Sequence, residues 1–349
     1  MKLQLIFTLD YELFGDGSGS VKHEQINPTN QLLEIFDEYN AKLSIFFEYG
    51  QYLGYQKFAS SKNSFKEDNS LIEAQLIDTI KRKHDVQFHY HPTWYHASYQ
   101  NEEITLDTKM FDISNMEEKK ISEVVESGKN FLENLLKPIN ENYECNSFRA
   151  GAWSMKDSTK VLNILKNYGF KCDTSVAPHA KFSSSYGEFD YSDAQSSYEP
   201  WLLDIGSNSL TSQSEKREFL ELPIYTKKSS LGFLKYLNPH YLKSKKIISR
   251  FYKTKVSEAK MSKINKIKKI VGRDYYMADF NTMDSRILYK MITDVIAENS
   301  DSNKVIPLVL IGHSKSSYFN DELRLLFQKL EKLECIEYKN ISDVVKDFI

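Results

Sequence analysis

Residues 3–12 read LQLIFTLDYE. From Leu3 to Leu9 only Gln4 and Thr8 interrupt an apolar run, so the segment reads as a buried strand. It ends in Asp10–Tyr11–Glu12. Side chains alternate along extended chain, so Asp10 and Glu12 share a face. Two carboxylates held on one face repel unless a cation or a proton lies between them. The plain alternative is the polar start of a loop.

Working outward, strands and helices alternate. A glycine-rich loop, GDGSGS, leads to Asn27–Pro28–Thr29 and an expected helix Thr29–Tyr39. Ala41–Phe47 is an expected strand, 55–70 a polar loop, Leu71–Lys83 a helix and Asp85–His91 a strand stopped by Pro92. Helices are expected at Met116–Leu136 and Asp157–Tyr168, the latter closed by Gly169. Ser147–Ala150 and Phe170–Asp173 flank that second helix as strands, and 178–217 is irregular. Strands at Glu218–Ile224, Tyr275–Phe280, Val305–Gly312 and Cys335–Tyr338 combine with helices Asp284–Glu298, Asp321–Lys332 and Ser342–Phe348. Such alternation predicts βαβ units around a parallel sheet or barrel, in one domain spanning 1–349.

The chain has 349 residues, 41% hydrophobic and 27% charged, as an ordinary globular protein does. Its three cysteines, Cys145, Cys172 and Cys335, are odd in number and far apart, which predicts neither a disulfide framework nor a thiolate zinc cluster. The N-terminal apolar run is broken by Asp10 and Glu12 too early for a leader, and no run reaches the roughly 20 apolar residues of a membrane span. The expected location is the cytoplasm. The net charge is −2, yet residues 227–273 hold 15 Lys and Arg against Glu258 alone, leaving −16 on the remainder. Lys alternates there with Leu, Ile and Tyr in helical fashion, so the stretch is expected to be a helical insertion. It is either a solvated basic face or a contact for an anionic partner.

Three further groups end expected strands, where α/β folds build their sites. In DVQFHYHPTWYH, residues Gln87, His89 and His91 share a face, and two imidazoles about 6–7 Å apart can converge on one ion. Neutral imidazoles suit zinc. Polar surface is the alternative, and His96, beyond Pro92, is expected to be that. Arg149 in FRAGAWS is suited to gripping a carboxylate with two donors. His313 in LVLIGHSK can titrate near working pH. There is no GxSxG elbow, Walker motif, GxGxxG or HExxH.

These motifs resemble, in order, those of the polysaccharide deacetylase (NodB-homology, carbohydrate esterase family 4-like) proteins. TLDYE looks like their first motif, HYHP the second and FRAG the third; YGFKCDTS resembles the strand that follows, and LIGHSK the last motif. The resemblance runs from Leu5 to Ile349 and implies a distorted (β/α)7 barrel carrying the Lys-rich insertion. It implies Asp10 as base, oriented by Arg149, and His313 as acid. Glu12, His89 and His91 become metal ligands, most simply for Zn2+. Trp94, Trp153, Asp173 and Gln87 become substrate-binding residues, and a backbone N–H near Ala150–Trp153 the oxyanion donor. The pattern departs from the family's: its metal histidines usually stand four apart, and Gln87 occupies the place four before His91. TLDYELFG with QxHxHP marks a divergent subgroup.

The implied activity is hydrolysis of the N-acyl group of a sugar in a surface-polysaccharide or glycan precursor. Residues 227–273 would contact an anionic membrane surface or a pyrophosphate carrier. Competing readings are a non-catalytic carbohydrate-binding protein on a decayed scaffold, which Gln87 motivates, and an amidohydrolase of a non-sugar amide. Nucleic acid is the most remote partner.

Overall fold

The chain runs first through the middle of the sheet. In the computed structural model, which describes residues 1–184, 186–228, 275–317 and 320–349, strand β1 (Lys2–Tyr11) is buried from Leu3 to its end. It lies between β2 (Leu43–Glu48) and β14 (Val305–His313), parallel to both. Burial on both faces is what its unbroken apolar run requires. Next to β2 come β3 (Asp85–Tyr90), β6 (Ser147–Ala150), β7 (Cys172–Asp173) and β11 (Leu220–Glu221), all parallel. Just past β11, Ile224 bridges Val309 of β14 in parallel. These seven strands of the nine-stranded sheet thus curl back on themselves, a distorted barrel closed by one bridge. Strand β10 (Trp201–Leu202) pairs antiparallel with β11, and β15 (Ile336–Tyr338) joins β1.

Two apolar layers sandwich this sheet. Leu5, Phe7 and Leu9 pack outward under the helices. Those are α1 (Asn27–Glu38), α2 (Tyr49–Phe58), α3 (Ser64–Lys81), α4 (Glu118–Leu136), α5 (Ser158–Asn167), α6 (Ser285–Glu298) and α7 (Asn320–Leu330). Ile6, Phe46, Cys172, Leu220 and Val309 form a second cluster on the other face. Helix α8 (Ile341–Phe348) covers it with Ile341, Val344 and Val345. By the period of two, Thr8 and Asp10 follow Ile6 on that face, and Glu48 follows Phe46. One end of the interior is therefore apolar and the other polar.

Several sequence expectations need correction. Residues 55–70 are not a loop: α2 occupies it to Phe58 and α3 begins at Ser64. Tyr49, Tyr52, Tyr55 and Phe58 recur every three residues and are all buried, an apolar stripe that the intervening Gly, Gln and Lys disguise. Residues 178–217 contain the hairpin β8 (Lys181–Ser184) and β9 (Gly187–Asp190) as well as β10. The strand expected at Tyr275–Phe280 is β13 (Tyr275–Met277), paired antiparallel with β12 (Thr226–Lys228) outside the main sheet. A further hairpin, β4 (Ser98–Gln100) and β5 (Glu103–Thr105), follows β3. The basic insertion at 227–273 lies, from 229 onward, outside the described residues. No helix among the described residues is long and apolar enough to cross a membrane.

Candidate metal centre

Parallel register puts the chemistry at one end of the sheet. Glu48 stands beside His89 and His89 beside Arg149, in one row across β2, β3 and β6. Asp10 stands beside His313 across β1 and β14. Residues in one row project on the same side of the sheet, so both rows converge.

Glu12, Glu48, His89 and His91 each offer a ligand atom, and these atoms lie within 4.8 Å of one another. Glu12 Oε2 is 3.5 Å from His89 Nε2 and 3.2 Å from His91 Nδ1. Glu48 divides its carboxylate. Oε1 caps α2 by accepting from the Gly50 and Gln51 amides at 2.7 and 3.3 Å, while Oε2 faces the cluster 3.9 Å from His89 Nε2.

The tautomers follow from the remaining hydrogen bonds. The Nδ1 of His89 lies 2.8 Å from the Arg149 carbonyl, which can only accept, so Nδ1 carries the proton. The lone pair then sits on Nε2, which is buried and has no hydrogen-bond partner. A buried acceptor aimed at two carboxylates and bonded to nothing is a defect in a closed core but the arrangement a cation requires. The residues therefore fit a divalent metal. Burial alone would lower the His89 pKa, but the negative charges of the neighbouring Glu12, Asp10 and Glu48 carboxylates push it up to about 9. The lone pair thus attracts a positive charge, be it proton or ion. His91 is held differently. Its Nε2 accepts from the Ala152 amide at 3.2 Å, and Nδ1 lies 2.6 Å from Glu48 Oε2. Offering Nδ1 to an ion would move the proton to Nε2 and break the Ala152 bond. That turn is confined: Ala152 and Trp153 both take positive φ, 53° and 52°, and a Cβ at Gly151 would stand 2.6 Å from the His91 ring.

Beside this cluster lies the Asp10 pair. Arg149 is fully buried and donates from Nη1 to Asp10 Oδ1 at 2.5 Å, from Nη2 to Thr8 Oγ1 and from Nε to the Thr174 carbonyl. Its guanidinium lies 4.2 Å from the centre of the Phe46 ring. Burial works against ionisation of Asp10, but Arg149, His89 and His313 prevail and hold its pKa below the usual value. Asp10 Oδ2 is 3.5 Å from His313 Nε2. Burial lowers the His313 pKa, so that imidazole is neutral near pH 7 although Asp10 pulls the other way. Lys315 reaches Glu12 Oε1 at 2.5 Å. Despite burial, Lys315 together with His91 and His89 keeps Glu12 well below the ordinary carboxylate range.

Of the sequence-predicted site residues, Asp10, Glu12, His89, His91, Arg149 and His313 are brought together. Trp153 borders them, its ring 5.9 Å from that of His313. Three others are not. Gln87 is fully buried; its amide serves Asp85, the Glu144 carbonyl and the Asn146 and Ser147 amides. Trp94 is packed edge-on against Tyr55 in the core. Asp173 is buried against Ser175, accepting from its hydroxyl at 2.8 Å and its amide at 3.1 Å. Of the amides expected to cradle an oxyanion, Ala150 N bonds the Ser175 hydroxyl and Ala152 N bonds His91. Sequence reasoning missed Glu48 and Lys315. A signal for Glu48 existed: a single carboxylate closing the run LSIFFE, as Asp10 nearly closes its own.

No protein-family model matches the chain, and no curated protein matches it. Solved structures do. One described as a putative polysaccharide deacetylase from Mycobacterium smegmatis is 14% identical, covers 99% of this chain and 90% of its own, and superposes with a TM-score of 0.52. A GH57-type branching enzyme from the hyperthermophilic archaeon Pyrococcus horikoshii is 10% identical over 100% of this chain and 71% of its own, with a TM-score of 0.51. A 4-alpha-glucanotransferase from Thermococcus litoralis is 12% identical over 99% of this chain and 40% of its own, at 0.50. At such identities the likeness concerns architecture. The chain has the curled parallel α/β fold of the NodB type, shared with the polysaccharide deacetylase structure that it resembles.

Proposed function

We propose that this protein is a divalent-metal-dependent hydrolase that removes an N-acyl group, acetyl in the first instance, from a sugar of a glycan precursor. The observation carrying this is the unpartnered Nε2 of His89, buried among Glu12, Glu48 and His91 and next to an Asp10–Arg149 pair. Glu12, Glu48 and His89 would hold the ion, with His91 joining once Ala152 yields its bond; two imidazoles and two carboxylates suit zinc. Held there, a zinc ion supplies Lewis-acid polarisation of the amide carbonyl and acidifies water. The protein's own groups handle the protons. Asp10 is ionised, and with Oδ1 tied to Arg149 its Oδ2 is the atom that takes the proton of the attacking water. The neutral Nε2 of His313, 3.5 Å from Oδ2, is placed to receive that proton and pass it to the leaving amine. Water and amide become carboxylic acid and amine.

Gln87 motivated the decayed-scaffold alternative, but it is a structural tie between β3 and the loop before β6, and nothing favours that reading further. Three unpaired cysteines suit a reducing compartment, so we place the substrate in the cytoplasm as a carrier-linked precursor. Acetate release from N-acetylated sugars by the zinc-loaded protein tests the proposal. Release should stop on chelation, return with zinc, and fall about 10²–10⁴-fold in Asp10→Asn. No acetate from any N-acetylated sugar by fully loaded protein would sink it.

A further inference from the structure

The Glu12 carboxylate separates two clusters. Its Oε2 faces His89 and His91, whereas Oε1 lies 3.9 Å from His313 Nε2. Asp10, Glu12 and His313 form a trio of their own, each with a ligand atom within 4.8 Å of the other two. Zinc ligands at tetrahedral positions stand about 3.3–3.5 Å apart, and Asp10 Oδ2 is 3.5 Å from His313 Nε2. By spacing alone the trio suits a second ion, with Glu12 as the bridge of a two-metal centre. A cation of the chain's own already stands there. Lys315 Nζ donates to Glu12 Oε1 at 2.5 Å and to the Leu13 carbonyl at 3.1 Å. Its turn is tied to the same strand end, where Ser314 Oγ accepts from the Glu12 amide at 3.3 Å. The Lys315 side chain is 13% exposed, so little water screens its charge. The formal charges agree. Asp10, Glu12 and Glu48 set against Arg149 and Lys315 leave one negative charge, which a single divalent ion more than cancels.

We infer that Lys315 is the second cation of this centre, filling the Asp10–Glu12–His313 trio in place of a second metal ion and stabilising the negative charge that the amide oxygen gains during hydrolysis. The inference rests on the metal-dependent hydrolase reading and adds a catalytic residue to it. The Ala150 and Ala152 amides are engaged elsewhere, so a fixed ammonium takes over the task expected of them. An ammonium also keeps the Asp10 carboxylate and the His313 imidazole out of a metal's ligand set, which leaves both available for proton transfer.

Metal content and turnover of Lys315→Met test the assignment, since methionine keeps an unbranched stem without the charge. Equilibrium dialysis against zinc should give one ion per chain in the intact protein and in Lys315→Arg, and two in Lys315→Met. Lys315→Met combined with His313→Ala should return to one, because the second ion needs the trio. This count does not depend on the substrate. Loaded with one zinc per chain, Lys315→Met should lose about 10²–10³-fold in kcat on an N-acetylated sugar, with KM little changed. If Lys315→Met fails to fold, Lys315→Gln serves the same comparison. One zinc per chain in the folded uncharged variant, or an undiminished kcat, would overturn the role of Lys315 alone. No zinc in the intact protein would overturn the metal centre with it.

Discussion

Arg149 has no contact with solvent, so its pairing with Asp10 is a matter of stability as well as chemistry. Removing one partner of a buried ion pair strands the other charge, at a cost of about 3–5 kcal/mol. Arg149→Met should lose about that much in urea unfolding, whereas Arg149→Met with Asp10→Asn should regain most of the stability and none of the activity. A loss under about 1 kcal/mol in the single variant would mean that Asp10 is not ionised there. The residues legible in the sequence are those where a hydrophobic run stops at a polar group: Asp10, Glu12, His89, His91, Arg149 and His313. Glu48 escaped because the expected strand stopped at Phe47, one residue short. Gln87 shows the converse. Period two placed it on the histidines' face, but periodicity cannot say that the neighbouring backbone at Asn146 and Ser147 claims its amide.

At the scale of elements, the centre depends on how closely helices press on the strands that carry it. Helix α4 crosses β3 at Gly128, where a Cβ would lie 2.3 Å from Phe88 Cε2 and 2.9 Å from Tyr49 Cδ1. Phe88 is fully buried and packed at tilted angles among Phe148, Phe170 and Tyr49, so it has nowhere to retreat. In an exposed helix Gly→Ala would gain about 1 kcal/mol. Here Gly128→Ala should instead destabilise by about 1–3 kcal/mol, through overpacking. Because Phe88 adjoins His89, zinc affinity should fall as well. A raised melting temperature would refute the close crossing. Strands and most helices were legible from alternation, since parallel strands buried on both faces are continuously apolar. Helix α2 was not, because its aromatic stripe sits among polar residues, and the β8–β9 hairpin was hidden in a Ser-rich segment.

For the whole molecule, two buried groups at the start of β3 oppose each other in acid. His84 accepts from the Leu43 amide at Nδ1 and faces Asp37 at Nε2; burial takes its pKa down to about 4. The unfolded chain therefore gains a proton that the fold refuses, so stability from His84 is lost as pH falls from about 6.5 toward 4. Asp85 runs the other way. Burial raises its pKa to about 6, so its contribution is present at low pH and is lost as pH rises toward 6. Relative to the unchanged protein, His84→Gln should abolish a loss of about 2 kcal/mol between pH 7 and 5, and Asp85→Asn a gain of about 1 kcal/mol. Difference curves from urea unfolding at both pH values read these directly, and parallel curves would contradict both shifts. Barrel closure was the least legible feature of the fold, since one bridge from Ile224 to Val309 completes it and no local pattern announces such a contact. Everything proposed about function depends on whether the polar end of that barrel holds an ion. Equilibrium dialysis against zinc, with metal counted per chain in the intact protein and in His89→Ala, decides the matter. One zinc per chain is expected, lost in His89→Ala while the fold survives; a chain that takes up no stoichiometric zinc, or a variant that keeps it, would refute the metal centre.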